Sequence, residues 1–261
     1  MVATLCTEVC KMKNAFLRHE HASLISMVQG DTVERVAELM NLSFGAGAEG
    51  FGLQMETLRP EEKTKENLTR LFSLYDLPTY VTNYRHRNNA GKSDEDIAEE
   101  IVGLTMCGAT LVDVMGDLYC PTEGELTMDE CAIEKQKKLI ERIHKAGGQV
   151  LMSSHTKRVM TAEEVLFYAM EQQSRGADIA KIVSLATTET EQVEALRAIL
   201  LLKEKLSIPF LYLVGGECKI LRRIGGKLGN CMHLCVYEYD TYATPVQPLI
   251  SDLLAVKELF Y

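Results

Sequence analysis

A lysine inside one apolar run and a histidine at the end of another are the residues of this sequence best suited to chemistry. The stretch Gly176-Ala177-Asp178-Ile179-Ala180-Lys181-Ile182-Val183 sets Lys181 among apolar neighbours. If that side chain faces a protein interior, desolvation disfavours its ammonium form and leaves a neutral amine able to attack a carbonyl carbon. The alternative is a lysine at a strand end that reaches solvent. The run Gln149-Val150-Leu151-Met152-Ser153-Ser154-His155-Thr156 ends on His155, an imidazole that could move protons beside an imine or simply be a hydrogen-bonded structural residue. Arg85, after Val81-Thr82-Asn83-Tyr84, and Arg222, in Lys219-Ile220-Leu221-Arg222-Arg223, offer planar forks suited to a carboxylate. Each could equally be a surface arginine in a solvated loop.

For these residues to meet, their strands must be parallel neighbours with their C-terminal ends on one side. The sequence supports that arrangement. Short apolar or β-branched runs alternate with longer helical patterns from residue 23 onward, as in βαβ units. Strands are predicted at Ser23 to Val28, Gly50 to Met55, Thr79 to Tyr84, Thr110 to Val114, Gln149 to Ser154, Ile179 to Ser184, Phe210 to Val214 and Cys231 to Val236, each followed by a helical segment. Asp31 and Thr161 each precede a glutamate by three positions, the spacing of a capping box at a helix start. Gly147 and Gly176 stand where glycine closes a helix in the left-handed conformation. These units predict a single-domain (β/α)8 TIM barrel over residues 21–261, with residues 1–20 as an N-terminal extension or hairpin covering the barrel's N-terminal face. The irregular stretch 116–130 lies after the fourth strand, on the face where barrel enzymes place their chemistry.

A chain of 261 residues with 46% hydrophobic content is long enough for one such core. Its net charge of -9 and pI near 5.3 argue against a nucleic-acid or anionic-membrane surface. The apolar runs are too short to span a bilayer, and the N-terminus lacks the apolar core of a secretion signal, so a cytoplasmic protein is expected. The eight cysteines contain no C-x2-C pair and read as mostly buried thiols. Neither a phosphate loop nor a metal cluster is evident, and no cofactor is expected. A homodimer is only the general expectation for soluble proteins.

The ordered set of strand-end arginine, strand-end histidine, interior lysine and a late Ile-x-Arg resembles type I 3-dehydroquinate dehydratase over nearly the whole chain from about residue 22. "GADIAKIV" resembles that family's lysine strand, "SSHTK" its histidine strand, "ILRRIGGKLGN" its arginine loop and "ATPVQPLI" its substrate-covering loop. The resemblance implies a carbon-oxygen lyase of the shikimate pathway with a small keto-acid substrate. It assigns Lys181 to the imine, His155 to proton transfer, Arg222 to the substrate carboxylate, and Arg85, Gln247 and Gln54 to secondary binding. Departures are equally specific. Gly52 and Gln54 replace a glutamate and an arginine at the second strand, Asn89 replaces the carboxylate expected to orient the histidine, and Ala243 replaces a small hydroxyl residue. These departures keep two alternatives open: a Schiff-base lyase for another keto acid, and a noncatalytic barrel that binds small acids.

Overall fold

The computed structural model describes Phe16, residues 21–243 and residues 245–260. The predicted 1–20 extension therefore lies outside the described residues apart from Phe16, which is buried in the barrel interior. Eight strands form: β1 Ser23–Val28, β2 Gly50–Gln54, β3 Thr79–Thr82, β4 Leu111–Met115, β5 Gln149–Val159, β6 Ile179–Ala186, β7 Phe210–Gly216 and β8 Met232–Cys235. The helices that follow them are α1 Val33–Gly45, α2 Lys65–Phe72, α3 Asp94–Met106, α4 Glu130–Lys145, α5 Ala162–Ser174, α6 Glu189–Lys205, α7 Ile220–Leu228 and α8 Ile250–Phe260. All strand pairs are parallel, in the order β7-β6-β5-β4-β3-β2-β1-β8. This is the expected (β/α)8 barrel.

Strands covered on both faces are mostly apolar, and β1, β3 and β4 are buried at every position. Outward side chains such as Phe51, Val81, Val112 and Val150 pack beneath the helices, while Ile25, Tyr80, Leu111, Leu151, Ile179 and Leu211 fill the interior. Helix starts are capped as the spacing predicts at Thr161, whose box with Glu164 is complete. The cap of α1 is Thr32, which accepts from Arg35 N, rather than Asp31. Gly147 and Gly176 take φ of 91° and 99°, values that glycine adopts without a Cβ penalty. The longest strand, β5, runs five residues past its predicted end because it continues along β6 beyond an irregularity between His155 and Val159.

The barrel closes between β7 and β8 through a side chain. Cys231 N donates to Phe210 O at 3.0 Å, and beside it the Asn230 amide accepts from Tyr212 N at 2.8 Å and donates to Tyr212 O at 3.0 Å. The buried Asn230 thus imitates one residue of a strand ladder. Asn230→Ala leaves a buried N–H and a buried C=O without partners. At about 1–3 kcal/mol for each unsatisfied group, a loss of about 2–6 kcal/mol is expected in urea unfolding, and an unchanged midpoint would show that the seam has other support.

Candidate active site

The interior lysine is held by groups from β4 and from β3 and the residues just after it. Lys181 on β6 is 4% exposed, opposite Ser153 of β5 and Leu211 of β7 in register. Its Nζ lies 2.9 Å from Tyr84 Oη, 3.0 Å from Tyr80 Oη and 3.2 Å from Asp113 Oδ2. Asp113 on β4 is 2% exposed, and it accepts from the hydroxyls of Tyr80, Tyr84 and Ser153. An isolated charge here would be costly, so the ammonium and carboxylate offset one another and the surrounding hydroxyls complete their hydrogen bonds. Burial, followed by the charge of Asp113, raises both tyrosine pKa values well above the ordinary phenol, so both hydroxyls keep their protons.

His155 stands on β5 two residues beyond Ser153, on the same face. Its Nδ1 is 2.8 Å from Glu125 Oε2, and the same oxygen accepts its backbone N–H at 2.9 Å. The carboxylate takes the Nδ1 hydrogen, which assigns the basic lone pair to Nε2. Burial of Glu125 works to raise its pKa, but the hydrogen bond and charge of His155 outweigh it and hold the pKa below normal. The expectation that an amide, Asn89, had taken over the histidine-orienting role is thereby corrected. Asn89 is fully buried elsewhere, donating to Asn83 Oδ1 and Tyr84 O and accepting from Lys63 Nζ.

Glu125 comes from the irregular stretch after β4, and that stretch is tied down. Ser154 Oγ donates to Glu125 O at 2.7 Å, and Thr127 N donates to Gly116 O at 3.2 Å. The buried Arg175 guanidinium donates to Gly116 O and Thr127 O, clasping the two ends of the segment. Glu125 itself has φ of 49°, a left-handed conformation disfavoured for a side-chain-bearing residue and tolerated here because neighbours on both sides fix it.

A cavity of about 350 Å³ opens at the C-terminal ends of the strands and is lined by Lys181, His155, Tyr84, Arg222, Gln54 and Gln247, among others. Arg222 on α7 donates from Nε to Val214 O at 3.1 Å. It has no carboxylate partner among the described residues, and burial alone pushes its pKa down to about 10. A half-buried guanidinium facing a cavity without a carboxylate partner is a receptor for an anion.

Arg85 is placed apart from this group. It grips Asp94 through Nε and Nη2 at 2.7 and 2.8 Å, and Asp117 through Nη1 at 2.7 Å, and it is not among the cavity-lining residues. The structure therefore brings together Lys181, His155, Arg222, Gln54 and Gln247 but not Arg85.

Other lining residues went unnoticed in the sequence. His86 lines the cavity, and its pKa is lowered by burial and by the charges of Arg87 and His155. Gln29, at the end of the β1 segment, also lines it. A sequence signal did exist for Asp113, a lone acid within the apolar run Leu111–Met115 that mirrors the lone lysine of β6. Gly52 has a local cause: a Cβ there would fall 2.2 Å from Met27 Sδ and 3.3 Å from the Tyr80 ring, so those side chains occupy the space a larger residue would need.

Among the described residues, no helix is long and apolar enough to cross a membrane, and no group of three or more His, Cys, Asp or Glu side chains is arranged to hold a metal ion. The six described cysteines are free thiols, with Cys131 exposed where burial was expected.

Comparison with known proteins agrees with this geometry. A family model described as type I 3-dehydroquinase matches residues 13–260. The 3-dehydroquinate dehydratase of Klebsiella pneumoniae strain 342 is 28% identical over 187 residues, covering 70% of this chain and 67% of the relative. Among solved structures, the 3-dehydroquinate dehydratase of Geobacillus kaustophilus superposes with a TM-score of 0.78 at 16% identity, covering 93% of this chain and 92% of that one. The type I enzyme of Clostridium difficile gives 0.75 at 19% identity over 93% and 94% of the two chains. At those identities the likeness shows the shared barrel.

Proposed function

Because the chain belongs to the type I 3-dehydroquinase family of hydro-lyases, we propose that it dehydrates 3-dehydroquinate to 3-dehydroshikimate through an imine on Lys181. The observation that carries this reading is a single cavity holding a buried lysine, a histidine oriented by a carboxylate, and a half-buried guanidinium without a carboxylate partner among the described residues. A ketone that also bears a carboxylate satisfies all three.

Arg222 would hold the carboxylate and so fix the ring, with Gln54, Gln247 and Gln29 available to its hydroxyls. Nζ of Lys181 adds to the ketone carbon, and loss of water leaves a cationic C=N bond. His155 Nε2 then takes the proton from the adjacent carbon. The C–H electron pair becomes a C=C bond as the C=N pair moves onto nitrogen, so the charge of a carbanion never develops. The enamine expels the neighbouring hydroxyl, which leaves as water with the proton carried by His155. Hydrolysis of the conjugated imine frees the product and Lys181. No cofactor enters this scheme.

The test is mass spectrometry after incubation with 3-dehydroquinate and borohydride, with absorbance of the conjugated enone followed in parallel. A reduced adduct mapped to Lys181 together with enone formation is the expected result. Absence of both discards 3-dehydroquinate as the substrate and favours another keto acid.

A further inference from the structure

The contacts around Lys181 have the geometry of a paired ammonium. An ammonium has three N–H bonds, and Nζ faces three acceptors: Tyr84 Oη at 2.9 Å, Tyr80 Oη at 3.0 Å and Asp113 Oδ2 at 3.2 Å. Each tyrosine in turn donates its own hydrogen to Asp113 Oδ2. In this arrangement the nitrogen has no free electron pair. Before it can attack a ketone, one proton must leave, and the nearest carboxylate is Asp113.

The two tyrosines are not equivalent. Tyr80 is fully buried behind the site, whereas Tyr84 lines the cavity and sets its ring edge-on to His155 at 5.3 Å between centroids. Tyr84 thus stands between the amine, the carboxylate and the space a ketone would fill. We propose that the Tyr84 hydroxyl carries the proton between Lys181 and Asp113 as the imine forms and is later hydrolysed. This role rests on the imine reading and adds a catalytic residue to it.

The step balances. One N–H bond of Lys181 breaks, its electron pair stays on Nζ, and the proton bonds to Tyr84 Oη while the Tyr84 hydroxyl proton passes to Asp113 Oδ2. Tyr84 ends neutral, beside a free amine and a carboxylic acid. The amine adds to the ketone. The resulting oxygen takes one proton from the nitrogen and one from Asp113 by way of Tyr84, then leaves as water with its C–O electron pair. The nitrogen lone pair closes the C=N bond, and Asp113 is again a carboxylate, now facing the iminium. The high pKa of the buried tyrosine suits a group that passes protons without holding a negative charge.

The experiment mixes enzyme rapidly with 3-dehydroquinate, quenches with borohydride at intervals and reads adduct mass. It is run on the wild type, Tyr84→Phe and Tyr80→Phe across pH, with binding of quinate, the alcohol lacking the ketone, as control. Tyr84→Phe is expected to form the adduct about 10²-fold more slowly with an altered pH dependence. The same variant should reach the same final yield and bind quinate as the wild type does, while Tyr80→Phe, which removes a hydroxyl outside the cavity, should slow the adduct less than Tyr84→Phe and leave its pH dependence in place. Adduct formation by Tyr84→Phe at the wild-type rate overturns the proposal while leaving the imine intact. Slowing that is matched by weaker quinate binding overturns it as well, since that is damage to the site. If the wild type itself gives no adduct, the imine reading fails and the relay falls with it.

Discussion

Lys181→Ala is expected to lower turnover of 3-dehydroquinate on the order of 10⁶-fold, the size of effect seen when the nucleophile of a covalent mechanism is removed. The figure is large because no neighbour can substitute. Tyr80 and Tyr84 keep their protons, and Asp113 is surrounded by donors and turned away from nucleophilic use. The variant should still fold, since Asp113 retains the hydroxyls of Tyr80, Tyr84 and Ser153 when the ammonium is gone. Enone absorbance under single-turnover conditions gives the rate, and circular dichroism gives the fold. Residual activity within about 100-fold of wild type would mean that the lysine only binds, and that elimination proceeds without covalent attachment.

The second large effect belongs to the histidine and its carboxylate. His155→Ala is expected to cost about 10³–10⁴-fold in kcat, near the upper end for removal of a general acid and base. Glu125→Gln should cost about 10–10²-fold, because an amide can still meet Nδ1 but cannot balance an imidazolium. The same pair makes a stability prediction with a definite sign. The pKa of Glu125 is lower folded than unfolded, so its contribution is fully present above the ordinary glutamate value, near 4.5, and fades as pH falls through the lowered one. Wild type should therefore lose more stability than Glu125→Gln between neutral pH and the acid limit, and the two should converge once the Glu125 carboxyl of the wild type is protonated. Parallel acid-unfolding curves, or an unchanged kcat in the glutamine variant, would show that another group orients His155.

The barrel was legible because its signals are local. Apolar runs bounded by caps and glycines report burial on both faces of a strand, and the run Ser23–Val28 is a strand with the bounds its composition suggests. The lysine and histidine were legible for the opposite reason: each breaks such a run. What escaped was contact across loops. Glu125 lies thirty residues from His155 in the chain, within a stretch with no periodicity, and nothing local distinguishes it from other surface acids. Position-by-position matching pointed to Asn89 and read a missing charge, yet the charge is present in space, supplied from a different loop. Arg85 misled in the complementary way, since a strand-end arginine looks the same whether it faces a cavity or grips Asp94 and Asp117. Tyr80 and Tyr84 lie in a strand-forming run that says nothing of their hydroxyls, and only the closed barrel brings both to one amine.

The seam closed by Asn230 divides the site into a rigid part and a yielding one. Tyr84, Asp113, His155 and Lys181 all belong to or directly follow β3 through β6, strands joined to one another by backbone ladders. Arg222 follows β7 and Gln247 follows β8, on the two sides of a join held by the Asn230 amide and the Cys231 N–H. The barrel thus has a laddered wall that carries the reacting groups and a joint that parts the strands preceding Arg222 and Gln247. Slack in that joint would loosen the grip on the substrate while leaving the lysine and histidine in register. A barrel with a soft stave in this position can admit and release a ring without disturbing the distances on which its chemistry depends.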